Sequence, residues 1–356
     1  MNYLTKHASK FTVGYIDHEF INRHRIILTR VYYPSNNKAT YLEAYYAPQV
    51  KSLKSIIAEY IDVTTKDLDE INLLKSFSIK NANIVENKKF PVIFFSHGLN
   101  QFVQSYENVI TNLVSYGYIV VGIYSGLPYG NFDNLDKIIN YQLPIQYEDV
   151  LYVINHIVDA NISVVNSMNL QNVGGMGHSL GATVIAKLSR ENSVLFKAAV
   201  GFDADMDNKY KIIEPFEIPF LHQLSGSRYM KIPWYNNQVN PIFKLGYDNF
   251  IVGIAPNENI LRRDARDFYS LHSEFTDLAT IKNMKVFKEA NLAFEKINGY
   301  PLFGYGESND IVNIINTTLV SFFDEYLKKQ NNNFLTHCNE YAMQKNFVFV
   351  SGPCIF

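Results

Sequence analysis

Residues 173–183, VGGMGHSLGAT, decide the fold of this chain of 356 residues. Residues 177–181 match the pattern G-x-S-x-G, which here follows an apolar run and precedes an amphipathic one. Where a strand turns abruptly into a helix, the residue between them has a strained backbone, and side chains at the flanking glycines would collide with neighbouring backbone. The stretch therefore predicts a strand, a helix from Leu180 and a nucleophilic Ser179 at the turn. A glycine-rich turn with a passive serine is the alternative.

Apolar runs of strand length alternate with amphipathic runs along the chain. Residues 90–96 (FPVIFFS) and 118–124 (YIVVGIY) are typical of buried parallel strands, and residues 106–116 between them have helical apolar spacing. Further strands are predicted at residues 11–16, 25–34, 173–176, 198–202, 220–224 and 250–254, and further helices at residues 146–158 and 311–326. This order predicts a mostly parallel, doubly wound α/β sheet flanked by helices.

The composition is that of an ordinary globular protein, with 47% hydrophobic and 19% charged residues. We expect one α/β domain over residues 1–330 and a C-terminal tail over residues 331–356. A formal net charge of -2 argues against nucleic acid as a partner, because no basic field attracts phosphates. No apolar run is long enough for a transmembrane segment, and residues 1–20 lack the apolar core of a Sec-type signal peptide. A cytoplasmic location is the default expectation, with leaderless export as the alternative.

Neither a metal nor a cofactor is expected. No cluster of His, Cys, Asp or Glu has metal-ligand spacing, and no glycine-rich loop suits a phosphate group. The two cysteines, Cys338 and Cys354, both lie in the last segment. They do not form a disulfide framework, although they can pair with each other.

A serine hydroxyl needs a general base that removes its proton, and in this arrangement the base follows the serine in the chain. Three histidines lie beyond Ser179. His222 falls inside a predicted strand, and His337 lies in the predicted tail. His272 instead lies in a loop after the strand at residues 250–254, from which it can reach the carboxyl edge of the sheet. We therefore expect His272 to be the base.

The acid that supports this base is expected among the aspartates between Ser179 and His272. These are Asp203, Asp205, Asp207, Asp248, Asp264 and Asp267. Asp203 directly follows the strand at residues 198–202, so its carboxylate should emerge at the same edge as the serine. Asp205 is its main rival, and a solvated loop cluster is the alternative.

Two backbone N–H groups are needed to stabilise the negative charge that develops on a reacting ester. Leu180 should provide one, because it begins the helix after the nucleophile and the helix dipole adds to its effect. Leu99 should provide the other, from the turn after the strand at residues 90–96. His97 in that turn is expected to be a structural hydrogen-bonding residue.

Five stretches resemble the plasma-type platelet-activating factor acetylhydrolases, lipoprotein-associated phospholipase A2 and their bacterial relatives. They are LTRVYYPSN (28–36), FPVIFFSHGLNQFVQSYENVITNLVSYGYIVVGI (90–123), GHSLGAT (177–183), GFDADM (201–206) and HSEFTDL (272–278), in the order of the family. The resemblance implies the α/β-hydrolase fold, a triad of Ser179, Asp203 and His272, and Leu99 and Leu180 as oxyanion donors. It also implies calcium-independent hydrolysis of short or oxidised sn-2 acyl groups of phospholipids.

Two departures from the family pattern affect the expected substrate rather than the chemistry. Residues 124–126 (YSG) replace a segment that in the family is acidic and contains histidine and arginine, and Ala182 replaces a glycine. The expected activity is that of a serine esterase or phospholipase A2-like acyl hydrolase acting on a small ester or a phospholipid. A lipase, a carboxylesterase or an acyltransferase could use the same residues. A catalytically idle fold used as a binding module is an alternative of another class.

Residues 52–77 form a predicted helical insertion near the active site. Leu53, Ile56, Ile57, Tyr60 and Ile61 fall at helical spacing. They either cover a face of the domain or form a lid or lipid-facing element, as the corresponding insertion does in the resembled family. Peripheral contact with a lipid surface is therefore one expected role of this segment.

Overall fold

The computed structural model describes residues 10–37, 78–99, 101–125, 135–203, 216–225, 249–254, 308–330 and 347–351, with single residues at 292, 296, 334, 336 and 338. The strands are β1 (Thr12–Asn22), β2 (Arg25–Ser35), β3 (Ser78–Lys80), β4 (Phe90–Ser96), β5 (Ile119–Tyr124), β6 (Met168–His178), β7 (Ala198–Phe202), β8 (Phe220–Ser225), β9 (Asn249–Ile254) and β10 (Phe347–Ser351). The helices are α1 (Glu107–Ser115), α2 (Leu135–His156), α3 (Leu180–Glu191) and α4 (Ser308–Tyr326), with short 3-10 helices at Val103–Tyr106, Ile157–Asp159 and Ser163–Ser167.

The ten strands in this part of the chain form one sheet, in the order β10-β9-β8-β7-β6-β4-β5-β2-β1-β3. The central strands β5, β4, β6, β7, β8 and β9 are parallel to their neighbours in that row. Strands β2 and β10 are antiparallel to the strands beside them. The predicted mostly parallel α/β sheet is thereby confirmed. The carboxyl ends of the parallel strands meet at one edge, where ligands bind in such sheets.

Helices cover both faces of the sheet, which explains why its central strands are continuously apolar. Helices α2 and α3 pack with one cluster of buried side chains, which includes Val92 and Phe94 of β4. Helices α1 and α4 pack with a second cluster, which includes Ile93 and Phe95 of the same strand. Each side of β4 is therefore buried, so the strand lacks the polar alternation of a half-exposed one.

Helix α2 begins at Leu135, whereas the sequence pattern predicts a start at Gln146. The helix passes through Pro144, which has no N–H to donate to the preceding turn. Gln142, Leu143 and Gln146 around the proline are all buried. Packing against the sheet therefore holds a turn that local propensity disfavours.

The chain after α4 contributes more than the expected tail. Strand β10 pairs with β9 along the edge of the sheet. The sequence pattern does not predict this strand. Phe334 and Cys338 are buried in the cluster beneath α4. Cys338 is a free thiol, and Cys354 lies outside the described residues. Parts of the segment 331–356 thus belong to the folded body.

Two points concern contact with membranes. The predicted insertion at residues 52–77 lies outside the described residues, so its role stays a prediction. In the ranges that the structure does describe, no helix combines the length and the apolar character needed to cross a bilayer.

Candidate active site

Ser179 lies in a strained turn between β6 and α3. Its backbone has φ 50° and ψ −118°, a conformation that residues other than glycine rarely adopt. Strand β6 ends at His178 and helix α3 begins at Leu180, so Ser179 alone makes the turn. The Ser179 N–H donates to the carbonyl of Phe202 in the neighbouring strand at 2.8 Å. The turn is therefore anchored to the sheet and presents the hydroxyl at its carboxyl edge.

The two glycines around Ser179 are required by close backbone contacts. A Cβ atom at Gly177 would lie 2.5 Å from the carbonyl oxygen of Gly181. A Cβ atom at Gly181 would overlap the carbonyl oxygens of Ser96 and His97. The first turn of α3 thus lies directly against β6 and against the end of β4. This contact brings the nucleophile turn next to the turn that carries Leu99.

Asp203 occupies the equivalent position on the next strand. Strand β7 pairs in parallel with β6, with Phe202 opposite His178, so Asp203 and Ser179 follow paired residues. Asp203 also has a positive φ, of 48°, and its N–H donates to the carbonyl of Gln223 at 2.9 Å. Its side chain is fully buried. The structure therefore brings Ser179 and Asp203 to adjacent strand ends, as expected from the sequence.

The expected base, His272, lies outside the described residues, as do Asp205 and His337. His222 is described, and it lies buried in β8 against the ring of Phe220, with centroids 4.5 Å apart. Burial lowers the pKa of His222 to about 3. Its imidazole is therefore neutral at ordinary pH and packs among aromatic rings.

The second expected oxyanion donor, Leu99, lies in the turn between β4 and the 3-10 helix at Val103–Tyr106. The preceding amide, Gly98 N–H, donates to the hydroxyl of Tyr106 at 3.1 Å. The Tyr106 hydroxyl also lies 2.7 Å from Nδ1 of His178. Through this hydroxyl, the turn that carries Leu99 is connected to the residue directly before Ser179.

Side chains from α2 and from the turn itself complete this support. Gln146 Nε2 donates to the Ser96 hydroxyl at 2.8 Å and to the His97 carbonyl at 2.7 Å. The Nδ1 of the buried His97 lies 2.8 Å from the Gly98 carbonyl, to which it donates when protonated. Burial lowers the pKa of His97. His97 thus acts within the turn as a hydrogen-bonding residue, which matches its expected role.

Sequence reasoning missed Tyr106 and Gln146 as supports of the site. Tyr106 stood in the predicted helix at residues 106–116, and Gln146 was the predicted start of another helix. Neither lies in a motif, and Gln146 is 49 positions from the His97 carbonyl that it contacts. A polar side chain on the buried face of a helix was the available signal, because such groups need a hydrogen-bond partner.

Taken together, the described residues suit nucleophilic chemistry on a carbonyl group. A serine hydroxyl, a buried carboxylate and the N-terminal end of α3 meet at one edge of the sheet. Among the described residues, no group of His, Cys, Asp and Glu side chains is arranged to hold a metal ion. The expected base, His272, lies outside these residues.

Comparison with known proteins finds one matching family model and many similar solved structures. Residues 2–124 match the family model of platelet-activating factor acetylhydrolase, isoform II. Among curated proteins, none matches the sequence. Many solved structures match the fold, and one of them is a ferulic acid esterase from Streptomyces cinnamoneus. It aligns with a TM-score of 0.66 and 14% sequence identity over 92% of this chain and 93% of that chain.

The two comparisons differ in how much of the chain they cover. The family match spans β1 to β5, including Leu99 and the turn around it, and ends before Ser179. The structural match covers nearly the whole chain, and at its low identity it shows the fold.

Proposed function

We propose that the chain is an ester hydrolase of the platelet-activating factor acetylhydrolase family, within the α/β-hydrolase superfamily, and that it cleaves short acyl esters through an acyl-enzyme on Ser179. In this proposal His272 is the general base, Asp203 is its acid partner, and the amides of Leu99 and Leu180 stabilise the oxyanion. The observation that carries the proposal is the strained backbone of Ser179 between β6 and α3. A strained backbone conformation costs free energy, and such conformations are concentrated at functional sites, which favours a nucleophile over a passive serine.

The acylation step uses each group once. His272 accepts the hydroxyl proton of Ser179 while the serine oxygen forms a bond to the ester carbonyl carbon. The carbonyl oxygen becomes negative and accepts hydrogen bonds from the two amides. Asp203 stabilises the positive imidazolium. The imidazolium then gives its proton to the leaving alcohol oxygen as the carbon–oxygen bond breaks.

Deacylation repeats these roles with water as the nucleophile. His272 removes a proton from water, the hydroxide oxygen attacks the acyl carbon, and the Ser179 oxygen leaves and recovers its proton. Deacylation releases the acid, since the alcohol has already left in the acylation step. An alcohol in place of water would give acyl transfer, so access of water to the site decides between hydrolase and acyltransferase.

We propose short acyl esters, with sn-2 esters of phospholipids among them, as the substrate class. The support is the family match, whose name describes removal of an acetyl group from a phospholipid. A panel of p-nitrophenyl esters of increasing chain length, with sn-2 labelled phospholipids, tests this class. A maximum at short chains is expected. A maximum at long chains would assign a lipase instead.

Labelling by a fluorophosphonate tests the nucleophile directly. We expect stoichiometric labelling of the wild-type chain and none of Ser179→Ala, together with a loss of ester turnover of about 10⁴-fold or more. Circular dichroism should show that the variant remains folded. Undiminished turnover by Ser179→Ala would refute the assignment, and an inert wild type would favour a binding module.

The insertion at residues 52–77 is proposed to dock on a lipid surface. Replacing Ile57 and Ile61 by Ser should then reduce turnover of vesicle-borne phospholipid and spare that of a soluble ester, because burying two such side chains contributes about 3–5 kcal/mol. An equal loss on both substrates, with a lower melting temperature, would assign these residues to the core.

A further inference from the structure

We propose that Tyr106 is a positioning residue that sets the spacing between the two halves of the oxyanion hole. The proposal rests on the function proposed above, in which the amides of Leu99 and Leu180 stabilise the oxyanion. Tyr106 acts through the residue that precedes Leu99 and the residue that precedes Ser179.

A single hydroxyl group makes both connections. The Tyr106 oxygen accepts the N–H of Gly98 at 3.1 Å. The same oxygen lies 2.7 Å from Nδ1 of His178. Gly98 is followed by Leu99, while His178 is followed by Ser179 and then Leu180. One hydroxyl therefore fixes the distance between the chain segments that carry the two proposed donors.

The contact between the Tyr106 oxygen and Nδ1 of His178 is a hydrogen bond in either tautomer of the neutral imidazole. The Tyr106 oxygen accepts the Gly98 N–H, and it either donates its own proton to an unprotonated Nδ1 or accepts a proton carried on Nδ1 through its second lone pair. His178 is buried, with 2% of its surface exposed, and burial favours the neutral ring. Both patterns connect the same two chain segments.

Close packing leaves the hydroxyl little freedom to move. Tyr106 is fully buried, and its ring packs edge-on against Phe95, with centroids 4.7 Å apart. A Cβ atom at Gly98 would lie 2.8 Å from Nδ1 of His178 and 3.3 Å from the Tyr106 oxygen. The three residues are thus in direct contact, and a displacement of one is transmitted to the others.

Loss of the hydroxyl should affect the transition state more than the bound substrate. The oxyanion donors act on charge that develops during the reaction, and their effect depends on short and well-directed hydrogen bonds. Without Tyr106 Oη, the Gly98 amide and His178 would each need another partner, and the Leu99 turn would shift relative to α3. A small shift of this kind reduces kcat and leaves KM nearly unchanged.

The variant Tyr106→Phe tests this proposal, since it keeps the ring against Phe95 and removes only the hydroxyl. Active sites are counted by fluorophosphonate labelling, and kcat and KM are measured with a soluble p-nitrophenyl ester. We expect kcat to fall about 10- to 100-fold with KM within about 2-fold of wild type. The affinity for an alkylboronic acid, which forms a tetrahedral adduct on the serine, should fall by the same factor as kcat.

Tyr118→Phe is the matched control. Tyr118 is also fully buried, and its hydroxyl donates to Asp324 on α4 rather than to the site. This variant should lower the melting temperature and leave kcat and boronate affinity unchanged. If Tyr106→Phe behaves in the same way, with a lower melting temperature and a wild-type kcat, Tyr106 is a stability residue and the proposal is wrong. A wild-type chain that neither reacts with fluorophosphonate nor cleaves esters would instead overturn the proposed function.

Variants of His178 test the same connection from its other end. His178→Asn keeps an acceptor close to the position of Nδ1, whereas His178→Ala has none. We expect the Asn variant to retain about 10-fold more kcat than the Ala variant when Tyr106 is present. In the Tyr106→Phe background, this advantage should disappear, because no hydroxyl remains to bond. Equal kcat of the Asn and Ala variants in the presence of Tyr106 would refute the proposal.

Discussion

The two turns that carry the proposed oxyanion donors are built in different ways. Ser179 alone links β6 to α3. The shape of this turn depends on close backbone contacts at Gly177 and Gly181, where a Cβ atom would not fit. The turn after β4 includes residues 97–99 and precedes a 3-10 helix. Two side chains from outside residues 97–99, those of Tyr106 and Gln146, hold this second turn in place.

The shape of the first turn is determined by residues next to it in the chain, and the shape of the second by residues far from it in the chain. The glycines of the Ser179 turn lie two residues on either side of the serine that they constrain. The steric requirement is therefore visible in five consecutive residues. The hydrogen bonds of the Leu99 turn join residues from three elements. Disturbing the first turn should therefore damage the nucleophile, and disturbing the second should weaken the oxyanion hole in smaller steps.

After the nucleophile itself, the largest expected effect is at Asp203, which resembles Ser179 in following a parallel strand with a positive φ. Asp203→Asn should keep the base in place and remove the charge that stabilises its protonated form, lowering kcat about 10²- to 10⁴-fold. Steady-state kinetics of Asp203→Asn and Asp205→Asn provide the comparison. If Asp205→Asn loses most of its kcat and Asp203→Asn keeps nearly all of it, Asp205 is the acid.

A methyl group at Gly177 should break the Ser179 turn. The added Cβ atom would meet the Gly181 carbonyl, which belongs to the backbone and cannot rotate away. We expect Gly177→Ala to lose about 10²-fold or more in kcat and about 3 kcal/mol in the free energy of unfolding. Gly174→Ala in the same strand is the control, because its Cβ would meet the side chains of Leu327 and Phe323 at 3.0 Å. A control that loses as much activity would mean that the strand, and not the turn, is sensitive.

Removal of Gln146 should weaken the Leu99 turn by a smaller amount. Gln146→Met keeps the length of the side chain and loses the hydrogen bonds to Ser96 and His97, which should lower kcat about 10-fold and the free energy of unfolding by about 1–3 kcal/mol. Gln142→Met, one turn earlier on α2, is the control, since its buried Nε2 atom has no hydrogen-bond partner among the described residues. Kinetics and urea denaturation of both variants make the test. An equal kcat for the two would contradict a role of Gln146 at the site.

The smallest effect on activity is expected on α2 at Asp149, away from both turns, where a substitution should change stability and leave kcat unchanged. Asp149 pairs with Arg25 of β2 at 2.7 Å, and burial raises the pKa of Asp149 from 3.8 to about 6. The folded carboxyl therefore keeps its proton at pH values where the unfolded one has lost it. The free energy of unfolding should fall as the pH rises from about 4 to about 6, by about 3 kcal/mol from this group.

Asp149→Asn should remove this part of the pH dependence. Urea denaturation of wild type and variant at several pH values between 4 and 7 measures it, and kcat at pH 7 should be the same for both. Identical slopes of stability against pH would show that another group titrates in this range.

The sequence was informative wherever a constraint is local or repeats along the chain. The G-x-S-x-G turn, the run FPVIFFS and the position of Asp203 directly after β7 were all placed correctly, because sterics and continuous burial leave clear patterns. The start of α2 was wrong, since Pro144 marks a helix start by local rules and packing around Leu143 overrides them. The supporting roles of Tyr106 and Gln146 were not predicted, because the tertiary fold determines which groups they bond to.

The most direct test of the central claim is to trap the acyl-enzyme. Rapid mixing with p-nitrophenyl acetate, acid quenching and peptide mass spectrometry would locate the acetyl group formed during the burst of p-nitrophenol. We expect one acetyl group per chain on the peptide that contains Ser179, and none in Ser179→Ala. Acetylation of a different residue during turnover, or a burst that survives in Ser179→Ala, would contradict the assignment of Ser179 as the nucleophile.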